Sequence, residues 1–229
     1  HGYVSDQSSF NQIIYEFEHK SPEERLFLFN VTIQNHGSYT VENYPAEVTL
    51  TDEPGKYPMA EQYLTLANKS DEAFQLLVDY FSHQDEPTII LMFGDHQPSV
   101  EQEFLDKAYS VTQDNMTMEQ YMDKYKTPLL IWANYDLPDD QIPTSSLNFL
   151  GQYLLSYAGI EASTYENYLT DFQQKLPAMT FVGYVDANGK AYSHLETNDY
   201  TSMIEDYRTF AYDNLFGGQT RHAQYYQAP

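Results

Sequence analysis

The chain has 229 residues, no cysteine, and 11 Lys and Arg against 34 Asp and Glu, for a formal net charge of -23. A surface this acidic repels phosphate backbones and anionic lipid, which excludes nucleic acid as a partner class. The lack of cysteine excludes disulfides, zinc–thiolate sites and a thiol nucleophile. The same charge is also what simple solubility requires. An anionic substrate here needs a local cation, and a bound metal ion is the obvious source. No apolar run approaches the ~20 residues that span a bilayer. The chain opens HGYVSDQSSF without a Met, which is read as an internal start of a processed or excised product.

Residues 6–18 predict an entry helix, with Asp6 as its cap and Phe10, Ile13, Ile14 and Phe17 as its apolar stripe. After SPEER, the run LFLFNVTIQ over 26–34 is β-rich and nearly all apolar, the pattern of a strand buried on both faces. It ends in the polar loop NHGSYT. Residues 41–58 read as an irregular excursion. The longest helical pattern covers 57–82, where Tyr63, Ala67, Ser70, Phe74, Leu77 and Phe81 recur in steps of four and three.

Residues 88–93 predict a second buried strand, 100–109 a helix, and 110–120 a polar, mobile stretch. A third strand is predicted over 127–135, bearing Trp132 as a core residue, with the solvated acidic turn Asp136, Asp139 and Asp140 behind it. Ser145 or Ser146 caps a helix that stops at Gly159, and another helix spans 163–176. AMTFVGYVDANGKAYSH reads as a hairpin turning at Asn-Gly. A last helix over 199–215 closes at Gly217-Gly218, before a polar, frayed tail. Strands alternating with crossover-length helices predict an α/β fold with a mostly parallel sheet flanked by helices, plus a small C-terminal hairpin and helix. Residues 1–160 would form the core α/β part and 161–229 a helix-hairpin-helix subregion.

Ligands in such sheets sit beyond the carboxyl ends of the strands. Two of the three predicted buried strands end in a histidine-bearing loop, at Asn35-His36 and at Asp95-His96. Asp95 and His96 offer a carboxylate oxygen and an imidazole nitrogen, a mixed donor set suited to Zn²⁺ or Mn²⁺. Gly94 permits a sharp exit from the strand and Pro98 stiffens the loop. Taken alone, an Asp-His pair is a weak signal, and a lone His36 is as readily a hydrogen-bonded loop residue as a donor to a phosphate or sulfate oxygen. His1, His19, His83, His194 and His222 read as surface residues.

The ordered segments LFLFNVTIQNHGSY, YLTLANKSDEAFQLLVDYF, PTIILMFGDHQPS and KTPLLIWANY resemble the lipoteichoic acid synthase-like branch of the sulfatase family, within the alkaline phosphatase superfamily. The matching motifs are Asn35-His36 with Tyr39, Ser70-Asp71, Gly94-Asp95-His96 and Thr127-Pro128, and they cover about residues 1–160. The resemblance implies that Asp95 and His96 are two ligands of a divalent metal, usually Mn²⁺, with Zn²⁺, Mg²⁺ or Ca²⁺ as alternatives. It implies that His36 contacts the phosphate of a bound head group. The implied reaction passes phosphoglycerol from a membrane lipid through a covalent intermediate on a Thr. The alternatives are a sulfatase or phosphodiesterase hydrolysing a soluble ester, and a non-catalytic α/β binding module in which Asp95 and His96 are structural.

The family's nucleophile and its other metal carboxylate lie further upstream, behind membrane-spanning helices on the outer face of a bacterial cell. The expectation is therefore the C-terminal part of a larger extracellular enzyme. Half a metal site would bind its ion weakly or not at all and turn over nothing without the missing N-terminal half of the catalytic domain.

Overall fold

The computed structural model describes residues 3–40, 42, 44–138 and 141–228. His1, Asp139 and Asp140 lie outside them. The residues gather into two compact units. One holds His1–Thr88, Gln97–Asn115 and Trp132–Tyr135, the other Ile89–His96, Met116–Ile131 and Asp136–Pro229.

The first unit is built on two helices. Helix α1 (Asp6–His19) starts at Ser5, whose hydroxyl accepts from the backbone N–H of Ser8. Ser5, and not Asp6, is thus the cap; Asp6 is buried and turned to another task. Helix α2 (Pro58–Ser82) has no side-chain cap from its own first residues. Glu101 supplies one, accepting from the N–H groups of Met59 and Ala60 at 2.8 and 3.0 Å, where orphan donors and the positive helix end favour a carboxylate. The two helices meet at Phe17 and Phe81, ring centroids 5.1 Å apart. Glu61 gathers the excursion over 44–58 by accepting from Leu50 and Gly55 N–H. Helix α3 (Gln102–Tyr109) lies close to the predicted one.

The segment 26–34 departs from expectation. It carries no regular secondary structure and joins no ladder. Phe27, Phe29 and Val31 are 76%, 74% and 75% exposed, and Leu26, Leu28 and Ile33 are also open. An apolar strand is buried only where neighbours cover it, and among the described residues none does.

Strands β1 (Ile89–Phe93) and β2 (Leu129–Ala133) form a two-stranded sheet. Gly94 N–H donates to Pro128 C=O at one end and Asn134 N–H to Thr88 C=O at the other, so the strands run antiparallel. Every residue of β1 is half-buried, where burial on both faces was predicted. The α/β class holds. The ladders among the described residues are antiparallel, where a mostly parallel sheet was predicted.

In the second unit, helix α4 (Met118–Asp123) starts inside the stretch 110–120 predicted to be mobile, opened by a reciprocal cap between Thr117 and Gln120. A 3-10 turn (Leu147–Phe149) leads into α5 (Leu150–Tyr157), and Gly159 at φ +66° ends it as predicted. Helix α6 (Thr164–Lys175) is capped by Ser163. The expected hairpin is a three-stranded antiparallel sheet, β3 (Ala178–Met179), β4 (Gly183–Val185) and β5 (Ala191–Ser193). Asp186 shapes its Asn-Gly turn by accepting from the N–H groups of Asn188 and Lys190. Helix α7 (Thr201–Phe216) packs on this sheet and on α6 through the core of Phe149, Leu169, Phe172, Leu176, Tyr184 and Ile204. The tail is docked where fraying was predicted: Tyr226 donates to Phe210 C=O and Asp213, and Arg221 lies over its ring at 4.3 Å. No helix among the described residues is long and apolar enough to cross a membrane.

Candidate active site

His36 is exposed on the loop leaving segment 26–34, in the first unit. Its Nδ1 lies 3.0 Å from the carbonyl oxygen of Gly37. A carbonyl only accepts, so Nδ1 carries a proton. Nε2 is then an acceptor in the neutral ring and a donor only in the imidazolium. The residue before it is held from two sides. Asn35 donates its amide to the Ser70 hydroxyl at 2.9 Å, and its carbonyl accepts from the Tyr39 hydroxyl at 2.6 Å. Tyr39 and Ser70 are buried, so the motif partners Asn35, Tyr39 and Ser70 work as one clamp.

Ser70 is anchored in turn. Its hydroxyl donates to Asp6 Oδ2 at 2.5 Å, and Gln34 bridges Asp6 N–H, Ser70 and the Leu66 carbonyl. Asp6 is only 2% exposed. Sequence reasoning missed this link, because an Asp in a first helical turn is fully accounted for as a cap or a dipole partner.

Asp95 and His96 leave the end of β1 in the second unit, and the structure brings them together. Gly94 is locked before them: its N–H donates to Pro128 C=O at 3.2 Å, and its carbonyl accepts from the Thr127 hydroxyl at 2.7 Å. Asp95 Oδ1 accepts from the backbone N–H of His96 at 2.9 Å, bending the loop so that neighbouring side chains converge. Asp95 Oδ2 and His96 Nε2 stand 3.6 Å apart, with side chains 80% and 68% exposed. Ligand bonds of about 2.0–2.2 Å put two donors of a tetrahedral ion about 3.4 Å apart, so the pair fits a shared divalent ion. Among the described residues no group of three or more candidate ligands forms; the Asp95–His96 pair offers two donors. The pair opens onto a cavity of about 1460 Å³, walled by Thr127, Pro128, Met179 and Phe181 among others. That exceeds the roughly 300–1,000 Å³ of an enclosed small-molecule pocket and describes an open cleft.

The most shifted carboxylate lies elsewhere. Glu53 is held down to about 2 by hydrogen bonds from Lys107 and Lys56. That group joins the excursion to α3 through exposed ion pairs with Glu103, which add little stability in water.

The chain is similar to known proteins. The sulfatase family model matches residues 1–160, and the chain belongs to the sulfatase family. It is 29% identical over 224 residues to the "Putative cyclic beta-1,2-glucan modification protein" of Rhizobium meliloti (strain 1021), covering 94% of this chain and 34% of that protein. It is 30% identical over 96 residues to the capsular polysaccharide biosynthesis protein RkpI of the same organism, covering 42% of this chain and 16% of that protein. The chain therefore spans about a third or less of these curated relatives. Among solved structures it shares the fold of the Streptococcus pyogenes phosphoglycerol transferase GacH in complex with sn-glycerol-1-phosphate. That match has a TM-score of 0.69 and 20% identity, over 98% of this chain and 53% of the other.

Proposed function

We propose that this chain is the C-terminal part of a metal-dependent phosphoglycerol transferase that acts on a membrane lipid head group at the outer face of a bacterial cell. Residues 1–160 are its core part and 161–229 a C-terminal subregion. The observation that carries the reading is the Asp95–His96 pair, its donors 3.6 Å apart at the end of β1, in a chain with the fold of a phosphoglycerol transferase. A divalent ion held there, Mn²⁺ by preference, supplies positive charge to a phosphoryl oxygen. His36 binds the phosphate: with Nδ1 committed to Gly37, a protonated ring offers its Nε2–H to an anionic oxygen.

Two donors are fewer than the three protein ligands usual in catalytic sites. The remaining ligands and the nucleophile are assigned to an upstream half of the catalytic domain, itself anchored by membrane helices. The exposure of Phe27, Phe29 and Val31 supports such a covering half. Alone, this chain binds Mn²⁺ weakly and is inactive. The names of two relatives, one for a glucan and one for a capsular polysaccharide, favour a polysaccharide acceptor. Hydrolysis of a soluble sulfate or phosphate ester is the second reading, favoured by the family match itself.

The test is glycerophosphate transfer from phosphatidylglycerol by the intact enzyme. Asp95→Ala abolishes it; His36→Ala lowers it while metal content is kept. Full rates in both variants would refute the assignment.

A further inference from the structure

We propose that Asp6 and Ser70 are positioning residues for His36, resting on the reading of His36 as the phosphate donor. The Ser70 hydroxyl has one proton and two lone pairs, and all three are used. The proton goes to Asp6 Oδ2 at 2.5 Å, the nearer of its two acceptors, with the Leu66 carbonyl at 3.3 Å, and the lone pairs take the amides of Asn35 at 2.9 Å and Gln34 at 3.2 Å. This saturation fixes the direction of the whole chain of bonds, from the two amides through the hydroxyl to the carboxylate. Asn35 cannot turn its amide without giving up the shortest hydrogen bond that the Ser70 hydroxyl accepts. With the Asn35 carbonyl held by Tyr39, the backbone entering His36 has one position, and the ring meets Gly37 through Nδ1.

A simple staple between α1 and α2 needs no buried polar group, and apolar packing serves that purpose as well or better. The arrangement also retains a costly feature: Asp6 Oδ1 is buried and makes no hydrogen bond among the described residues. A buried, incompletely satisfied carboxylate is an expensive way to join helices, and an unsatisfied buried group calls for an explanation. A fixed acceptor that orients one hydroxyl, and through it one loop residue, explains it.

The experiment is imidazole ¹⁵N NMR of the chain, unmutated and as Ser70→Ala, Ser70→Thr and Asp6→Asn, with titration of sn-glycerol-1-phosphate. The unmutated chain shows His36 as the single Nδ1–H tautomer at high pH. Ser70→Ala mixes the two tautomers and weakens the phosphate response of the ring about tenfold, the size of one hydrogen bond to a charged group. Ser70→Thr and Asp6→Asn, which keep the hydroxyl and its acceptor respectively, restore the single tautomer. A folded Ser70→Ala chain with unmutated His36 signals overturns the proposal. So does an Nε2–H tautomer in the unmutated chain, which needs no variant to fold. If the tautomers behave as stated while no His36 ring responds to glycerol phosphate, the positioning role stands and the phosphate reading of His36 fails.

Discussion

The hydroxyl of Thr127 donates to the carbonyl of Gly94 at 2.7 Å, tying the residue before the Asp95–His96 pair to the start of β2. A Cβ on Gly94 would stand 3.0 Å from Thr127 Cβ and 3.3 Å from its Cγ2. Gly94→Ala is therefore expected to push the loop away from Thr127 and destabilise the second unit by about 1–3 kcal/mol through overpacking. Thr127→Val keeps the shape and loses the donor, for about 1 kcal/mol. Urea unfolding measures both. An unchanged midpoint for Gly94→Ala would show that the loop has room the structure does not give it.

Asn134 holds the exit of α2. Its amide reaches the carbonyls of Phe81, Gln84 and Glu86 at 3.3, 2.9 and 2.9 Å, and its Oδ1 accepts from Thr88 N–H at 2.7 Å. Carbonyls at a helix end have no intrahelical donors. Asn134→Ala is expected to cost about 2–3 kcal/mol, because several part-buried backbone groups lose their partner together. Asn134→Asp also destabilises, since a carboxylate repels those carbonyls. A loss below 0.5 kcal/mol by denaturant titration would contradict this role.

Asp186 should make stability depend on pH. Burial raises its carboxyl pKa, but the N–H groups of Lys190 and Asn188 and the hydroxyls of Tyr192 and Tyr200 outweigh that and hold it below the usual range. A lowered folded value means the contribution is present above the unfolded pKa of about 3.9 and is lost as pH falls through the folded value. Asp186→Asn is expected to lose about 1–3 kcal/mol at pH 7. The gap from the unmutated chain narrows as pH drops below about 4. Thermal melts from pH 7 to pH 3 read the difference, and a gap that widens on acidification would refute it.

The open segment 26–34 yields a prediction about association. Phe27 and Phe29 contribute exposed apolar surface, of the kind that drives self-association. Replacing both with Ser is expected to leave stability within about 0.5 kcal/mol and to reduce concentration-dependent association in sedimentation velocity. A large loss of stability would mean that these rings are covered in solution.

Much of this architecture was legible in the sequence. The 3.6-residue pattern placed α1 and α2 because their apolar faces meet within one unit. Gly94-Asp95-His96 was readable as a strand-end turn because glycine after an apolar run has few other uses. The segment 26–34 was misread because hydrophobicity reports what a strand needs, not whether its neighbours are present. Helix α4 was overlooked although Thr117 and Gln120 carry the spacing of a reciprocal cap. The docked tail depends on Tyr226 meeting Asp213, a contact between turns that has no period to betray it. The bond between Asp6 and Ser70 was invisible for a similar reason: the two residues are 64 positions apart.

The central claim is that Asp95 and His96 hold one divalent ion. The most direct measurement is a Mn²⁺ titration of the chain followed by paramagnetic broadening of its histidine ring signals. The His96 ring is expected to broaden first, at sub-stoichiometric Mn²⁺, and to lose that priority in Asp95→Asn. A His96 signal that broadens no sooner than those of His19 or His83, or one unaffected by Asp95→Asn, would contradict the assignment.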